Sequence, residues 1–228
     1  CQDGFITSAA VENIELLEDK EVKEFVGEYC PDSYLLNSKQ PLAVGPYAVS
    51  AYCMEAKRAQ LEALKNARQV TLDVAKEFAA LSGREYGLFE EYRLADADYA
   101  MVIIGSAAGT AKDAVDQLRA EGKKVGLLKI RLFRPFPGEE IAAALQNARV
   151  IACMDRTESF NAQCGPLGAE VKSALFNARL MPVVINYVYG LGGRDVTVES
   201  ITSVYADLIK IDQTNDAGEI YRYLSLRE

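Results

Sequence analysis

The chain has 228 residues, half of them apolar, so it is long enough to bury one large core or two modest ones. Its 33 acidic and 25 basic residues give a net charge of −8, which argues against the phosphate backbone of a nucleic acid as a partner. The sequence contains no histidine, which excludes Ser-His-Asp and Cys-His catalytic arrangements and most zinc or non-haem iron sites.

Cysteine usage and hydropathy predict the compartment. Five cysteines at scattered spacing indicate reduced thiols in a reducing compartment, not a disulfide framework. They form no C-x-x-C pair, so we predict neither a zinc site nor an iron–sulfur cluster held by this chain. No run reaches the roughly 20 apolar residues that a membrane helix needs, and no signal-peptide pattern is present at the start. We therefore expect a cytoplasmic protein without a membrane partner.

The first 52 residues are predicted to be a charged and largely extended arm. Residues 1–30 contain too little apolar sequence to form a core and begin without methionine, so we interpret them as the end of a larger domain. An exposed helical turn or two is expected around residues 19–24. Residues 30–52 hold three prolines and show little periodicity, which is typical of a segment that runs over a neighbouring surface.

A long helix is predicted from Cys53 to about Leu81, because apolar residues recur there near a 3.6-residue period without proline. At 1.5 Å per residue such a helix would be about 43 Å long. It either links two domains or lies along a partner, or it is an ordinary helix packed on a sheet. Ser82-Gly83 ends it, residues 86–92 are predicted to be a linker, and a domain boundary is expected near residue 95.

Short apolar runs alternate with helical patterns in the rest of the chain. The predicted strands are 99–104, 125–130, 150–154 and 183–189, and the predicted helices are 111–118, 139–145, 167–176 and 198–209. Strands and helices that alternate in this way predict an α/β fold with a mostly parallel, doubly wound sheet covered on both faces.

Polar residues follow every one of these strands, where an open α/β sheet binds ligands. They are Ser106 and Thr110, Arg131 and Arg134, Asp155, Arg156 and Glu158, and Arg194 and Asp195. The turn at residues 105–110, G-S-A-A-G-T, could accept an anion, but it matches neither the dinucleotide fingerprint nor a P-loop, so a tight turn is favoured. Arg194 and Asp195 are expected either to form an ion pair or helix cap, with Asp195 capping the last helix, or to make a docking edge for another domain.

Seven short motifs follow one another through the chain. They are Asp3–Ser8 (D-G-F-I-T-S), Gly83–Leu88 (G-R-E-Y-G-L), Gly105-Ser106, Arg134–Pro137 (R-P-F-P), Asp155-Arg156, Gly165-Pro166-Leu167 with Glu170-Val171, and Gly190–Thr197 (G-L-G-G-R-D-V-T). This order resembles the C-terminal portion of the alpha subunit of the pyruvate or 2-oxoacid:ferredoxin oxidoreductase family. The resemblance covers nearly the whole chain, and R-P-F-P with G-L-G-G-R-D-V is its most specific part.

The resemblance implies a domain organisation and an activity. Residues 1–52 would be the end of a pyrimidine-binding domain and an extended arm, residues 53–95 a long helix and linker, and residues 96–228 a transketolase C-terminal-like domain. The complete complex would oxidatively decarboxylate a 2-oxoacid in anaerobic metabolism, using thiamine diphosphate and Mg²⁺, and would pass electrons through [4Fe-4S] clusters to ferredoxin.

The same resemblance implies that this chain holds no catalytic, cofactor-binding or metal-binding residue of its own. Its partners would be the thiamine-diphosphate and iron–sulfur subunits, and its expected contributions to their interfaces are Asp3, Phe5, Arg134, Arg194 and Asp195.

One departure from the family concerns the substrate. Members that act on pyruvate often continue D-G-F-x-x-S with histidine, whereas here Ser8 is followed by Ala9-Ala10. The oxalate-oxidising branch is therefore a candidate beside pyruvate. Two other functions stay open: a non-catalytic domain that holds subunits together, and a stand-alone nucleotide-binding α/β domain that uses residues 105–110.

Overall fold

The computed structural model describes residues 15–45, 47, 49–160 and 162–227. The chain divides into two compact units, with the division in this part of the chain between Tyr86 and Gly87. The expected interface residues Asp3 and Phe5, and the Ala9-Ala10 pair, lie outside the described residues.

The first unit, described from residue 15 to residue 86, contains two helices. α1 spans Asp19–Val26 and begins with a capping box in which the Glu18 main-chain N–H donates to the Glu21 carboxylate at 3.0 Å. α2 spans Cys53–Ser82 and ends at Gly83, whose φ of +69° is the left-handed conformation common at helix ends. The predicted long helix is confirmed. The described residues between the two helices form turns, bends and backbone without regular secondary structure.

Side chains in the first unit are poorly covered by the unit itself. No described residue from 15 to 86 is buried. The two helices meet where the rings of Phe25 and Phe78 lie 5.9 Å apart, beside a hollow of about 400 Å³ that Val70 and Val74 also line. Both valines stay exposed. The apolar surface of α2 is therefore much larger than the unit can bury.

The second unit is built on a six-stranded sheet in the order β1-β3-β2-β4-β5-β6. The strands are β1 Phe89–Tyr92, β2 Tyr99–Ile104, β3 Val125–Ile130, β4 Val150–Asp155, β5 Val183–Val188 and β6 Tyr221–Tyr223. All pairs are parallel except β1 with β3. The prediction of a mostly parallel α/β sheet is confirmed.

Helices cover both faces of this sheet. They are α3 Ala107–Ala120, α4 Gly138–Ala144, α5 Pro166–Asn177 and α6 Val198–Thr214, with a single 3₁₀ turn at Leu191–Gly193. Along β2, Met101 and Ile103 point into the core shared with α3 and α6, whereas Ala100 and Val102 point into the core shared with α4 and α5. This two-sided burial explains why the strand reads as a continuous apolar run. Across the described residues, we find no helix with both the length and the apolar character needed to cross a bilayer.

Two short edge strands differ from the sequence prediction. Residues 86–92 were predicted to be a linker, but this is wrong for Phe89–Tyr92, which pair antiparallel with β3 from Phe89 opposite Ile130 to Tyr92 opposite Leu127. β6 was not predicted at all. Strands of three or four residues are set by their neighbours in the sheet, so their own sequence carries little signal.

The order of the strands creates a switch point in the middle of the sheet. The chain passes from β2 to β3 on one side and then crosses to β4 on the other side of β2. The connections on the two sides of this point lead away from each other, so a crevice opens there at the carboxyl ends of the strands.

Candidate functional site

A cavity of about 280 Å³ lies at this switch point. Ile104 ends β2, Met154 and Asp155 end β4, and Tyr189 directly follows β5. These residues line the cavity together with Phe133, Arg156, Thr157, Pro166 and Leu167. The carboxyl edge predicted as polar is thus a largely apolar cavity, with polar groups from the segment after β4.

Asp155 takes part in a buried hydrogen-bond network at the carboxyl edge of the sheet. One carboxylate oxygen accepts from the Leu167 main-chain N–H at 2.8 Å, and the other accepts from that of Gly168 at 3.0 Å. The side-chain amide of Asn186 donates to Asp155 at 2.8 Å. Since Asp155 is only 4% exposed and Asn186 is fully buried, this network lets a carboxylate stay in the interior as a cap for α5.

Two glycines of the segment after β4 make room for this network. A Cβ on Gly165 would lie 2.3 Å from Cγ of Asp155, and a Cβ on Gly168 would lie 3.0 Å from Cγ of Asn186. The Gly165 main-chain N–H also donates to the side-chain amide oxygen Oδ1 of Asn186 at 2.6 Å. The G-P-L motif therefore has a structural reason, because glycine permits the close approach and proline starts the helix.

Arg156 lies on the rim of the cavity. Its guanidinium carbon is 5.8 Å from the centre of the Tyr189 ring. Gly190, with φ of +64°, allows this packing because a Cβ there would lie 2.7 Å from Nε of Arg156. The adjacent residues Asp155 and Arg156 thus have different roles: the first is a buried helix cap and the second is a cation at the cavity rim.

Arg131 and Arg134 are both held by carboxylates of this unit. Arg131 donates to Glu90 at 2.6 Å, and Lys112 binds the same carboxylate. Burial acts to raise the pKa of Glu90, but Lys112 and Arg131 outweigh it and hold the pKa below its usual range. Arg134 forms an ion pair with Glu170 of α5 at 2.7 Å. The R-P-F-P loop is therefore tied to α5 by its arginine.

Arg194 and Asp195 follow the 3₁₀ turn after β5, where an ion pair, a helix cap or a docking edge was expected. Arg194 donates to the main-chain carbonyl oxygen of Ser225, so it holds the segment after β6. The expectation that Asp195 caps the last helix is wrong. Thr197 is the N-cap of α6 and accepts from the Ser200 N–H at 3.2 Å, because it stands directly before the first helical residue.

Glu158 connects the segment after β4 to the edge strand β6. Its carboxylate accepts from the hydroxyl of Tyr221 at 2.6 Å and from that of Tyr223. These hydrogen bonds hold the pKa of Glu158 below its usual range. Burial, followed by the bond to Glu158, raises the pKa of Tyr221 to about 12. The three groups are therefore one ionised carboxylate and two neutral phenols at physiological pH.

The turn at residues 105–110 has the geometry expected of a tight strand-to-helix turn. Gly105 has φ of +86°, a conformation that residues with a side chain rarely adopt. The N–H groups of Ala108 and Gly109 donate to the carbonyl oxygens of Gly105 and Ser106 at 3.2 and 3.0 Å. Two donors that a phosphate would need are thus used within the turn, which supports the structural interpretation.

No cluster of three or more Asp, Glu, Cys or His side chains suited to a metal ion occurs in the part of the chain that the structure describes. Cys153 and Cys164 are buried free thiols, and burial raises the pKa of both. These two cysteines are therefore protonated, which suits packing better than metal binding.

Sequence reasoning missed two features of this edge. Asn186 is a single amide inside the apolar run V-V-I-N-Y-V, and a buried amide needs polar partners, so its position was a usable signal. Tyr221 and Tyr223 alternate around Arg222 on β6, which presents both hydroxyls to Glu158. Without the strand order, nothing in the sequence paired them with a residue more than 60 positions away.

Two family models match the chain in succession. Residues 1–76 match the model described as "Pyruvate flavodoxin/ferredoxin oxidoreductase, thiamine diP-bdg", and residues 97–201 match "Pyruvate:ferredoxin oxidoreductase core domain II". The second match lies within the unit that carries the switch-point cavity.

Curated relatives align along nearly the whole chain. Pyruvate synthase subunit PorA of Thermotoga maritima is 44% identical over 226 residues, which are 99% of this chain and 57% of the relative. The same subunit of Methanocaldococcus jannaschii is 41% identical over 206 residues, covering 90% and 52% of the two chains. Ketoisovalerate oxidoreductase subunit VorA of Pyrococcus horikoshii is 37% identical over 227 residues, covering 99% and 57%. The chain thus spans about half the length of these curated relatives.

Proposed function

The chain belongs to the pyruvate:ferredoxin oxidoreductase family, and from this premise we propose that it is part of the alpha subunit of a 2-oxoacid:ferredoxin oxidoreductase. The complete enzyme would oxidatively decarboxylate its substrate and pass two electrons to ferredoxin. The observation that carries the proposal is the succession of two family segments, with 44% identity to a pyruvate synthase subunit over 99% of the chain.

Thiamine diphosphate, Mg²⁺ and [4Fe-4S] clusters belong to the proposed complex. Among the residues that the structure describes, no group of three or more Asp, Glu, Cys or His side chains is arranged to hold a metal ion. The buried carboxylate of Asp155 is already used by α5 and Asn186. We assign the cofactors to the rest of the subunit and to the thiamine-diphosphate and iron–sulfur subunits.

The contribution of this chain to the enzyme would be architectural. Its α/β unit has its own core on both faces of the sheet, and α2 exposes apolar surface that the first unit does not cover. Exposed apolar surface of this kind marks contacts with other protein surfaces. The alternative function is that of a non-catalytic domain that only holds subunits together. The role of this chain would be architectural in both cases, because the proposal assigns the redox chemistry to its partners.

The named relatives support a proposal for the substrate. Pyruvate synthase subunits stand at 44% and 41% identity and a ketoisovalerate oxidoreductase subunit at 37%, so we place pyruvate first. Oxalate is the second candidate, favoured by Ala9-Ala10 where pyruvate-specific members of the family often have histidine.

An anaerobic assay tests the function and the substrate together. The complete subunit that contains this chain is co-expressed with its partner subunits, and ferredoxin reduction is measured with pyruvate, 2-oxoisovalerate or oxalate, with and without coenzyme A. We expect pyruvate to support reduction only when thiamine diphosphate is present. Chemical reduction of the purified complex is the control for intact clusters. If a complex with intact clusters and bound thiamine diphosphate oxidises none of the three substrates, the proposal is wrong.

A further inference from the structure

Arg84, in the G-R-E-Y-G-L motif of the first unit, has no carboxylate partner in the described part of the chain. Its Nε atom is shielded from solvent and finds no hydrogen-bond acceptor there. The guanidinium carbon lies 5.3 Å from the centre of the Phe78 ring. Contact with an aromatic ring favours a cation, but a shielded N–H donor without an acceptor remains costly. The motif therefore holds an arginine whose acceptor is not among the described residues.

Arginines of the second unit show how this chain satisfies the same side chain elsewhere. Several pair with a carboxylate at 2.7–3.0 Å: Arg93 with Asp116, Arg119 with Asp96, Arg134 with Glu170, Arg149 with Asp212, and Arg222 with Asp207. Such pairs are the usual arrangement for a guanidinium in a protein, because its N–H donors match a carboxylate. Arg84 differs from them, since the described residues of its own unit place no carboxylate against it.

Phe78 joins Arg84 to the apolar hollow between α1 and α2. The same ring lies 5.9 Å from that of Phe25 and lines the hollow, which has a volume of about 400 Å³. Val70 and Val74 also line it, and they are 59% and 47% exposed. An arginine and aromatic rings beside an open apolar hollow form the combination that dominates binding at the centres of protein interfaces. The occupant of such a place needs a carboxylate for Arg84 and an apolar side chain for the hollow.

The rest of the same polypeptide is the source that is best placed to supply this occupant. The segment that matches one family model, residues 1–76, includes both helices that line the hollow except for the last turns of α2. The 226 aligned residues are only 57% of the Thermotoga maritima relative, so a subunit of this family has further chain. A tethered segment binds at a high effective concentration, whereas a separate partner must first associate.

We propose that Arg84, Phe78 and the hollow beside them form a docking site for a segment of the same subunit that lies outside these 228 residues. That segment carries an aspartate or glutamate next to a large apolar side chain. The apolar side chain fills the hollow, and the carboxylate pairs with Arg84. The inference rests on the proposed function only for the existence of the longer subunit, and its test measures contacts and not turnover.

Photo-crosslinking in the complete enzyme identifies the occupant. A benzophenone amino acid is placed at position 74, in the hollow, and in a second sample at the exposed position 210 of α6 as a control. After irradiation, crosslinked peptides are sequenced by mass spectrometry, and a denaturing gel separates intramolecular from intermolecular products. We expect position 74 to crosslink within its own polypeptide to a peptide that lies outside the 228 residues and contains an acidic residue. Position 210 should not capture that peptide.

Charge variants test the part assigned to Arg84. In the complete enzyme, Arg84→Gln is expected to speed amide hydrogen exchange in α2 at least about tenfold, and Arg84→Lys should have a smaller effect. Arg58→Gln is the matched control, because Arg58 lies on the same helix and pairs with Glu62 at 2.7 Å. It should leave exchange near Phe78 unchanged. Replacing the captured acid by arginine should restore slow exchange in Arg84→Glu, which a purely structural role of Arg84 would not allow.

Three outcomes would overturn the proposal. The first is a crosslink from position 74 to a partner subunit, to a second copy or to another part of the 228 residues. The second is an equal effect of Arg84→Gln and Arg58→Gln on exchange near Phe78. The third is a captured peptide without an acidic residue. If the Arg84 variants do not assemble, the crosslink in the enzyme with the parent Arg84 decides the question.

Discussion

At the residue scale, Asp155 and Asn186 decide how the carboxyl edge is built. A carboxylate inside a protein is costly unless donors surround it, and here two main-chain N–H groups and one side-chain amide do so. Asn186 also donates to the Cys153 carbonyl oxygen at 2.8 Å and accepts from Gly165. The network therefore joins β4, β5 and the start of α5 through one pair of side chains.

Replacing Asp155 by asparagine tests this network. An amide offers one accepting oxygen where the carboxylate offers two, and its NH₂ group would face a main-chain N–H, so a buried donor would lose its partner. We expect Asp155→Asn to lower the free energy of unfolding by about 1–3 kcal/mol in urea titration. The exposed Asp195→Asn is the matched control, with an expected change within about 0.5 kcal/mol. Equal stability of the two variants would mean that Asp155 does not act as the cap.

The hydrogen bonds of Glu158 predict a pH dependence. The pKa of this carboxyl is lower in the folded chain than its usual value, so its contribution to stability is present above the usual pKa and is lost as pH falls through the folded value. The double variant Tyr221→Phe/Tyr223→Phe removes both donors. We expect it to be less stable than the parent at neutral pH, with the difference shrinking as the carboxyl is protonated.

Urea unfolding at neutral and acidic pH measures this difference. Tyr29→Phe is the control, because Tyr29 is 86% exposed and lies in the other unit. A stability difference that stays constant with pH would show that the tyrosines contribute by packing and not through Glu158.

The sequence predicts the positions of some of these residues but not their roles. Asp155, Arg156 and Glu158 were placed at the carboxyl edge because they follow an apolar run. Their different roles depend on α5 and on β6, which are brought to them by chain segments that the sequence does not connect. Asp195 shows the opposite error: it resembled a helix cap, but Thr197 stands closer to the helix start and forms the cap.

At the scale of elements, α2 differs from the other longer helices in how few of its side chains are buried. It has 30 residues and none of them is buried, whereas α3 has 14 residues and buries six. Helices in folded proteins owe little of their stability to intrinsic propensity, because tertiary packing supplies most of it. α2 therefore depends on cover from another surface much more than α3 does.

Amide hydrogen exchange measures this dependence. In the 228-residue chain we expect the amides of α2 to exchange much faster than those of α3, because local opening of α2 exposes little additional apolar surface. In the complete enzyme the α2 amides should be protected. α3 is the internal control in both samples. If α2 is as well protected as α3 in the chain alone, the helix is stable without a partner.

The elements that the sequence predicted share a strong pattern. β2, β3, β4 and β5 are largely apolar runs because helices cover both faces of the sheet. α2 keeps a helical period over its full length. β1 and β6 lie at the sheet edges and are short, so the pairing partner and not the local sequence makes them strands. The switch point could not be predicted either, because strand order is a property of the whole sheet.

At the scale of the whole molecule, the two units differ in what stabilises them. The α/β unit buries large side chains such as Met101, Leu127 and Tyr205, and the Tyr205 hydroxyl donates to the Gly126 carbonyl oxygen at 2.8 Å. The first unit, by contrast, has no buried residue among those described. In the proposed enzyme, the α/β unit would be a self-supporting body, and the first unit would gain its stability through assembly.

Arg194 offers a test of assembly that can be separated from chemistry. It is exposed, and it holds the segment after β6 through the Ser225 carbonyl oxygen. Arg194 also lines a hollow of about 180 Å³, together with the exposed side chains of Leu191, Tyr223 and Leu226. On the basis of the proposed function, we expect Arg194→Ala in the complete enzyme to weaken subunit association about tenfold or more, because it loosens this surface.

Native mass spectrometry across a dilution series measures association, and single-turnover reduction of ferredoxin measures chemistry on the fraction that stays assembled. Arg194→Lys keeps the charge and should restore part of the association, and Lys210→Ala, at an exposed position on α6, should change neither readout. Turnover per assembled complex is expected to stay close to that of the parent. An intact assembly with a turnover loss of about 100-fold, equivalent to about 2.7 kcal/mol of transition-state stabilisation, would instead place Arg194 in the reaction.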